Sequence, residues 1–138
     1  MIADKLQNLF KQYQKAFLAY DIKGVMRCYH LPCTLNTPEK VVLLANESDC
    51  HQEFSAIFTQ LKSVATSNVL AKKASYMKVS AQLYLVCIDW DFIDGHGQVF
   101  ADFAAIYHVL DIDGTFKIMN VISHELESSL TLTEPLNW

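Results

Sequence analysis

Apolar residues recur at helical spacing through the first twenty positions. Ile2, Leu6, Leu9, Phe10, Tyr13, Phe17 and Tyr20 form one stripe, and Lys5, Asn8, Lys11, Gln12 and Lys15 lie on the other side. This predicts an amphipathic helix. Asp21 breaks the run and supplies a cap for a short second helix through Val25, Met26 and Tyr29. Pro32 is expected to end that helix, because the residue before a proline avoids the helical region. Apolar and β-branched residues on either side of Pro38 predict short strands at Cys33–Asn36 and Lys40–Ala45. A third helix is expected from Ser48 as N-cap, with Phe54, Ile57, Phe58, Leu61 and Val64 as its apolar stripe and Glu47, Asp49 and Glu53 near the positive end of its dipole.

Past Val69 the period falls to two, with turn signals at Asp94-Gly95-His96-Gly97 and Asp113-Gly114. Four long strands follow: one ending near Gln82, then Leu83–Ile93, Gln98–Asp111 and Thr115–His124. Neither Gly nor Pro marks the boundary between the first two. Helices first and an antiparallel meander afterwards predict an α+β fold, with a strongly curved, mainly antiparallel sheet wrapped around N-terminal helices. Residues 1–125 read as one domain and 126–138 as an apolar tail packing on the domain or on a partner, with Trp138 as its anchor.

The order of elements, the Ala19-Tyr20-Asp21-Ile22 entry into the second helix and the Asp113-Gly114-Thr115-Phe116-Lys117-Ile118 hairpin resemble the nuclear-transport-factor-2-like superfamily. That superfamily includes SnoaL-like polyketide cyclases, ketosteroid isomerases and scytalone dehydratase. The resemblance implies a cone-shaped fold whose sheet curls around a pocket closed by the helices. It fixes no activity, because fold does not determine chemistry.

Strand alternation sorts the side chains relative to that pocket. Tyr84, Val86, Ile88, Trp90 and Phe92 are assigned inward, with Ala101, Phe103, Ala105, Tyr107 and Val109. On the last strand Phe116, Ile118, Asn120 and Ile122 are placed inside. The expected ligand-binding set is Tyr13, Phe17, Tyr29, Phe58, Trp90, Phe103 and Tyr107, with Asn120 as polar handle. It is apolar with a few hydrogen-bonding groups, the usual make-up of a small-molecule site. The outward set holds Leu83, Leu85, Cys87, Phe100, Ala104, Ile106 and Leu110. So apolar an outer face predicts a homodimer through Leu85, Phe100, Ile106 and Leu110.

Candidate chemistry is sparse. Isomerase or cyclase activity, as the resemblance implies it, needs a carboxylate in the apolar pocket, where desolvation makes it a usable base. Asp89, Asp91 and Asp102 all sort outward, and Phe103 and Tyr107 occupy the inner positions where such relatives carry acids. An Asp–Arg–Asp arrangement would need Arg27 and two inward acids. Of the histidines, only His30 and His124 fall near a pocket rim. Cys28-x-His30-x2-Cys33 with Cys50-His51 lacks zinc-site spacing, so neither metal nor cofactor is expected. Tyr13, Tyr29, Tyr107 and Trp90 are candidate hydrogen-bond donors to a carbonyl or enolate, and equally core aromatics whose polar tips find a partner.

Composition narrows the classes. The 138 residues carry a formal net charge of −4, and the 11 basic residues include a single arginine, Arg27. Nucleic acid and polyphosphate recognition are disfavoured. No apolar run suggests a membrane span. The N-terminus lacks a signal-peptide pattern, and four cysteines without a secreted-fold spacing suit a reducing, cytoplasmic setting. A small hydrophobic ligand is the leading expectation. A tyrosine-dependent isomerase, cyclase or dehydratase and an assembly module are the alternatives.

Overall fold

The computed structural model describes residues 1–137; Trp138, the expected anchor of the tail, lies outside the described residues. The elements are α1 (Ile2–Leu18), α2 (Ile22–Met26), β1 (Tyr29–Thr37), β2 (Lys40–Leu44), α3 (Glu47–Ser63), β3 (Asn68–Lys78), β4 (Leu83–Ile93), β5 (Val99–Ile112), β6 (Thr115–His124), a 3-10 turn (Leu126–Ser128) and β7 (Glu134–Pro135). The described strands form one curved, seven-stranded sheet in the order β2-β1-β6-β5-β4-β3-β7. Every pairing is antiparallel except β1 with β6. The helices fill the concave side, as the sequence predicts.

The helix stripes become the core. Leu6, Phe10 and Phe17 of α1 and Phe54 and Phe58 of α3 are buried against Val86, Ile88, Trp90 and Tyr107 of the sheet. Burying each such side chain contributes about 1.5–3 kcal/mol. Asp21 caps α2 as expected, accepting a hydrogen bond from the Gly24 N–H at 3.0 Å. α3 begins two residues earlier than predicted. Asn46, not Ser48, is the N-cap: its side chain accepts from the Asp49 N–H at 2.9 Å, while the Asp49 carboxylate accepts from the Ala45 N–H at 3.1 Å. This reciprocal pair is a capping box displaced by one residue.

Pro32 lies inside β1 and does not end α2, which stops at Met26. It sits where β1 loses register with β6, between Tyr29 and Thr34, so its missing N–H leaves no gap in a regular ladder. β3 ends at Lys78, short of Gln82, and the turn is closed by Val79 and Ser80 N–H groups donating to the Leu83 carbonyl. The Asp113-Gly114 hairpin forms as predicted, with φ of 52° and 87° at those residues, the left-handed pair a two-residue hairpin turn needs.

Two bulges overturn part of the face assignment. Val109 pairs with Ile118 but His108 pairs with Asn120, so Met119 is an extra residue in β6. Beyond it the alternation inverts: Asn120 and Ile122 face outward, and Val121 and Ser123 face the cavity. Likewise Ile93 pairs with Val99 and Phe92 with Ala101, leaving Phe100 unpaired in β5. Phe100 then turns to the cavity mouth, where its ring meets Phe92 at 6.3 Å, rather than joining the outer face. A bulge adds one residue and so exchanges faces for everything beyond it.

Residues 126–136 lie on this chain's own sheet. Ser129 donates to Asp89 at 2.7 Å, the Leu132 N–H donates to Ser75 at 2.8 Å, and β7 pairs with β3. Leu136 is buried in the core cluster. Ser75, Cys87 and Ala104, outward-facing by alternation, are buried at this end of the sheet.

Candidate functional site

Between α1, α3 and the concave face lies a cavity of about 430 Å³. α1 gives it Tyr13 and Phe17, β1 gives Tyr29 and Leu35, β4 gives Trp90 and Phe92, and β5 gives Phe103 and Tyr107. Each comes from the apolar stripe of its helix or the inward set of its strand, so the sequence pattern that builds the core also builds the cavity.

The floor is a cluster of phenols around one indole. Trp90 Nε1–H donates to the Tyr107 hydroxyl at 2.8 Å, and the Tyr13 and Tyr29 hydroxyls are 3.2 Å apart. The Tyr13 and Tyr107 rings meet edge-on, with centroids 6.0 Å apart. All three phenols are held well above the usual tyrosine range, first by desolvation and then by the neighbouring phenols. They are therefore neutral donors at any physiological pH.

Hydrogen counting gives the cluster a direction. Indole N–H is a donor only, and each hydroxyl brings one hydrogen. These groups hold four hydrogens, and the pairs Trp90–Tyr107 and Tyr13–Tyr29 use at most two. However the hydroxyls rotate, at least one O–H has no acceptor within the cluster, and all three tyrosines line the cavity.

The rim is polar. Glu53 and Gln60 of α3, Asn36 and Thr37 of β1, Lys40 of β2 and Ser123 of β6 border the same cavity. Glu53 is a carboxylate at the cavity rim that the sequence reading assigned only to the helix dipole. Its spacing from Ile57 and Gln60, four and seven residues on, places it on their face and was the available signal.

Of the expected ligand-binding residues, Tyr13, Phe17, Tyr29, Trp90, Phe103 and Tyr107 line the cavity. Phe58 does not. It is buried behind the wall, edge-on to Phe17 at 5.2 Å, and Phe54, Ile57 and Leu61 line the cavity from α3 instead. Asn120 does not either: the Met119 bulge sends it to the outer face, where its Oδ1 accepts from Thr34 at 2.6 Å and from Asn36 at 2.7 Å and its Nδ2 meets His108 Nδ1 at 3.0 Å. Asp91 is paired with Lys72 at 3.3 Å and Asp89 accepts from Ser129, both away from the cavity. Arg27 and His30 line a different cleft, and His124, which pairs with Ala104 along the ladder, does not border the aromatic cavity. All four cysteines are free and buried, and desolvation pushes the Cys33 thiol up to about 12. Among the described residues no group of His, Cys, Asp or Glu is arranged to hold a metal ion.

A family model described as NTF2-like protein (DUF6841) matches residues 4–126. The chain belongs to that family. Solved structures share its NTF2-like fold at low identity. An NTF-2 like protein of unknown function from Shewanella oneidensis MR-1 aligns with TM-score 0.73 and 16% identity over 91% of this chain and 100% of its own. A cystatin-like-fold protein from Nostoc punctiforme gives 0.73 and 9% over 91% of each chain. A ketosteroid isomerase-like protein from Erwinia carotovora atroseptica gives 0.66 and 14%, covering 87% of this chain and 92% of its own. None of the curated proteins matches. At these identities the likeness establishes the NTF2-like fold and leaves chemistry to the cavity. Among the described residues no helix is long and apolar enough to cross a membrane.

Proposed function

We propose that the aromatic cavity binds a small, largely apolar molecule bearing a hydrogen-bond acceptor such as a carbonyl oxygen. The observation that carries this reading is the surplus O–H of the Tyr13–Tyr29–Tyr107 cluster, a donor without a cluster acceptor in a mainly aromatic pocket. A buried donor without a partner costs about 1–3 kcal/mol, and a ligand acceptor removes that cost. Ligand-observed NMR with acetophenone and its deoxygenated counterpart ethylbenzene tests this. The ketone is expected to bind a few-fold to about tenfold more tightly, the equivalent of one net hydrogen bond. Equal binding of the two would refute the acceptor requirement.

Glu53 supports a second reading, an isomerase-, cyclase- or dehydratase-type enzyme in which a tyrosine hydroxyl stabilises the enolate that a carboxylate base generates. Protein-dependent exchange of α-protons of a bound ketone for deuterium, lost in Glu53→Gln, would support it. Absence of exchange in the unaltered protein would leave binding alone. The four buried free thiols suit a reducing, cytoplasmic setting, which fractionation of the native cell would check.

The outer sheet face supports an assembly reading as well. Val41 and Leu43 are 70% and 60% exposed on β2. Leu83, Leu85, Ile106 and Leu110 are half-buried beside the Thr34–Asn120–His108 hydrogen bonds. The proposal is a twofold pair through this face, without Phe100.

A further inference from the structure

A second cleft, of about 1110 Å³, opens where α2, the start of β1, the first turn of α3 and the β5–β6 hairpin meet. Tyr29 borders both it and the aromatic cavity. Its charge opposes that of the chain. Lys23, Arg27 and Lys117 line it with His30 and His51, against one carboxylate, Glu47, in a protein of formal net charge −4. Among the described residues the sole ion pair is Lys72–Asp91, so no carboxylate lies within 4.0 Å of any of these three cations.

The fold holds the cations together despite their repulsion. Arg27 follows α2 as its C-cap and Lys117 lies in β6, two elements joined by the Ile118 N–H donating to the Cys28 carbonyl at 2.7 Å. The Cys28 thiol senses both charges: desolvation pushes it up to about 11, and Lys117 and then Arg27 pull against that rise. Glu47 and Asp49 sit in the first turn of α3 and offset its dipole, so the field of the cleft comes from side chains and not from the helix end.

We propose that this cleft binds the phosphate group of a small organic phosphate. Arg27 supplies the planar two-pronged donor, Lys23 and Lys117 supply neutralising charge, and Met26, Leu31 and Ile112 take the organic portion. Charge selects phosphate over carboxylate. Lys23, Arg27 and Lys117 less Glu47 leave two positive charges, which match a phosphate monoester of about −1.5 to −2 better than a single carboxylate charge. One arginine matches one phosphate, in keeping with a chain too poor in basic residues for a polyanion.

The test uses the full chain and three probes: phenyl phosphate, inorganic phosphate and benzoate. Binding is followed by the imidazole NMR signals of His30 and His51 and quantified by calorimetry. Phenyl phosphate at millimolar concentration is expected to shift both histidines and to bind more tightly than either other probe. Arg27→Gln with Lys117→Gln should weaken it by about tenfold or more, as expected when charge-assisted contacts are removed. Arg27→Lys should weaken it to a lesser degree. Lys62→Gln, at the far end of α3, should change nothing. An unchanged far-ultraviolet circular dichroism spectrum and urea midpoint in the double variant show that the fold survives, whether or not a ketone binds the aromatic cavity. Unmoved histidines, undiminished affinity in the double variant, or an equal loss in Lys62→Gln would each overturn the proposal. Benzoate or inorganic phosphate binding as tightly as phenyl phosphate would overturn the ligand class.

Discussion

Replacing Tyr107 with phenylalanine removes one oxygen from the hydrogen-bonded cluster and changes almost no volume. Its hydroxyl accepts the Trp90 indole N–H at 2.8 Å, both side chains are 1% exposed, and that indole N–H has no other hydrogen-bond partner among the described residues. The variant therefore leaves a dry indole N–H unpaired, at a cost of about 1–3 kcal/mol. Tyr29→Phe acts on the bond with Tyr13. It removes one donor together with one bond and strands no new group, so it should cost about 0.5–1.5 kcal/mol. The double variant Trp90→Phe/Tyr107→Phe removes donor and acceptor together, so the hydrogen-bond part of its loss should fall below the sum of the singles. Urea unfolding followed by far-ultraviolet circular dichroism gives the stabilities of the parent, the three single variants (Trp90→Phe among them) and the double variant without relying on tryptophan fluorescence. Tyr29→Phe costing as much as Tyr107→Phe, or strict additivity of the pair, would refute the role of Tyr107 as the acceptor of the buried indole N–H.

Trp90→Ala should lower stability by about 3–5 kcal/mol through the cavity it leaves, measured as a fall in urea midpoint without a change in slope. Stability should also drop as pH rises. Burial raises the folded pKa of Cys28 to about 11, of Cys33 to about 12, and of Tyr13, Tyr29 and Tyr107 well above their usual range. The unfolded chain therefore releases these protons first, thiols from about pH 9 and phenols from about pH 10. Their contribution is complete below that range and is lost through it, so unfolding midpoints should be flat from neutrality to about pH 8 and then decline; a rise with pH would contradict it. Sedimentation at micromolar concentration should show a dimer that Leu85→Lys with Ile106→Lys converts to monomer, and a monomeric parent protein would end the twofold proposal.

The sequence pattern carried the architecture because long amphipathic stretches encode it redundantly. β4 and β6 run over the predicted residues, and the Asp113-Gly114 turn follows from local chemistry alone. Three features escaped for separate physical reasons. A bulge leaves no mark in the composition of a strand, so Asn120, Ile122 and Phe100 sorted to the wrong faces beyond Met119 and before Ala101. The β3–β4 turn uses Val79 to Gln82, none of which needs a left-handed backbone, so no Gly or Pro announced it. Asn46 and Ser48 are comparable caps by propensity, and only the reciprocal bond from Asp49 decided between them. The aromatic members of the cavity were legible because pocket and core draw on one inward stripe. Glu53 was missed because charge near a helix start has a sufficient local explanation.

The two margins of the sheet are finished differently. At one, β7 lies along β3 and Leu136 tucks into the core; at the other, no described strand pairs with the outer side of β2. At the sealed margin no further strand can add, so edge-to-edge pairing is confined to the β2 side. Without residues 126–138 the β3 margin would be open too, and each added copy would present a fresh template to the next, the condition for unlimited stacking of strands. The tail thus acts as a chain terminator for the sheet, and its removal should appear in light scattering as species that keep enlarging with time, where the intact protein holds a fixed size.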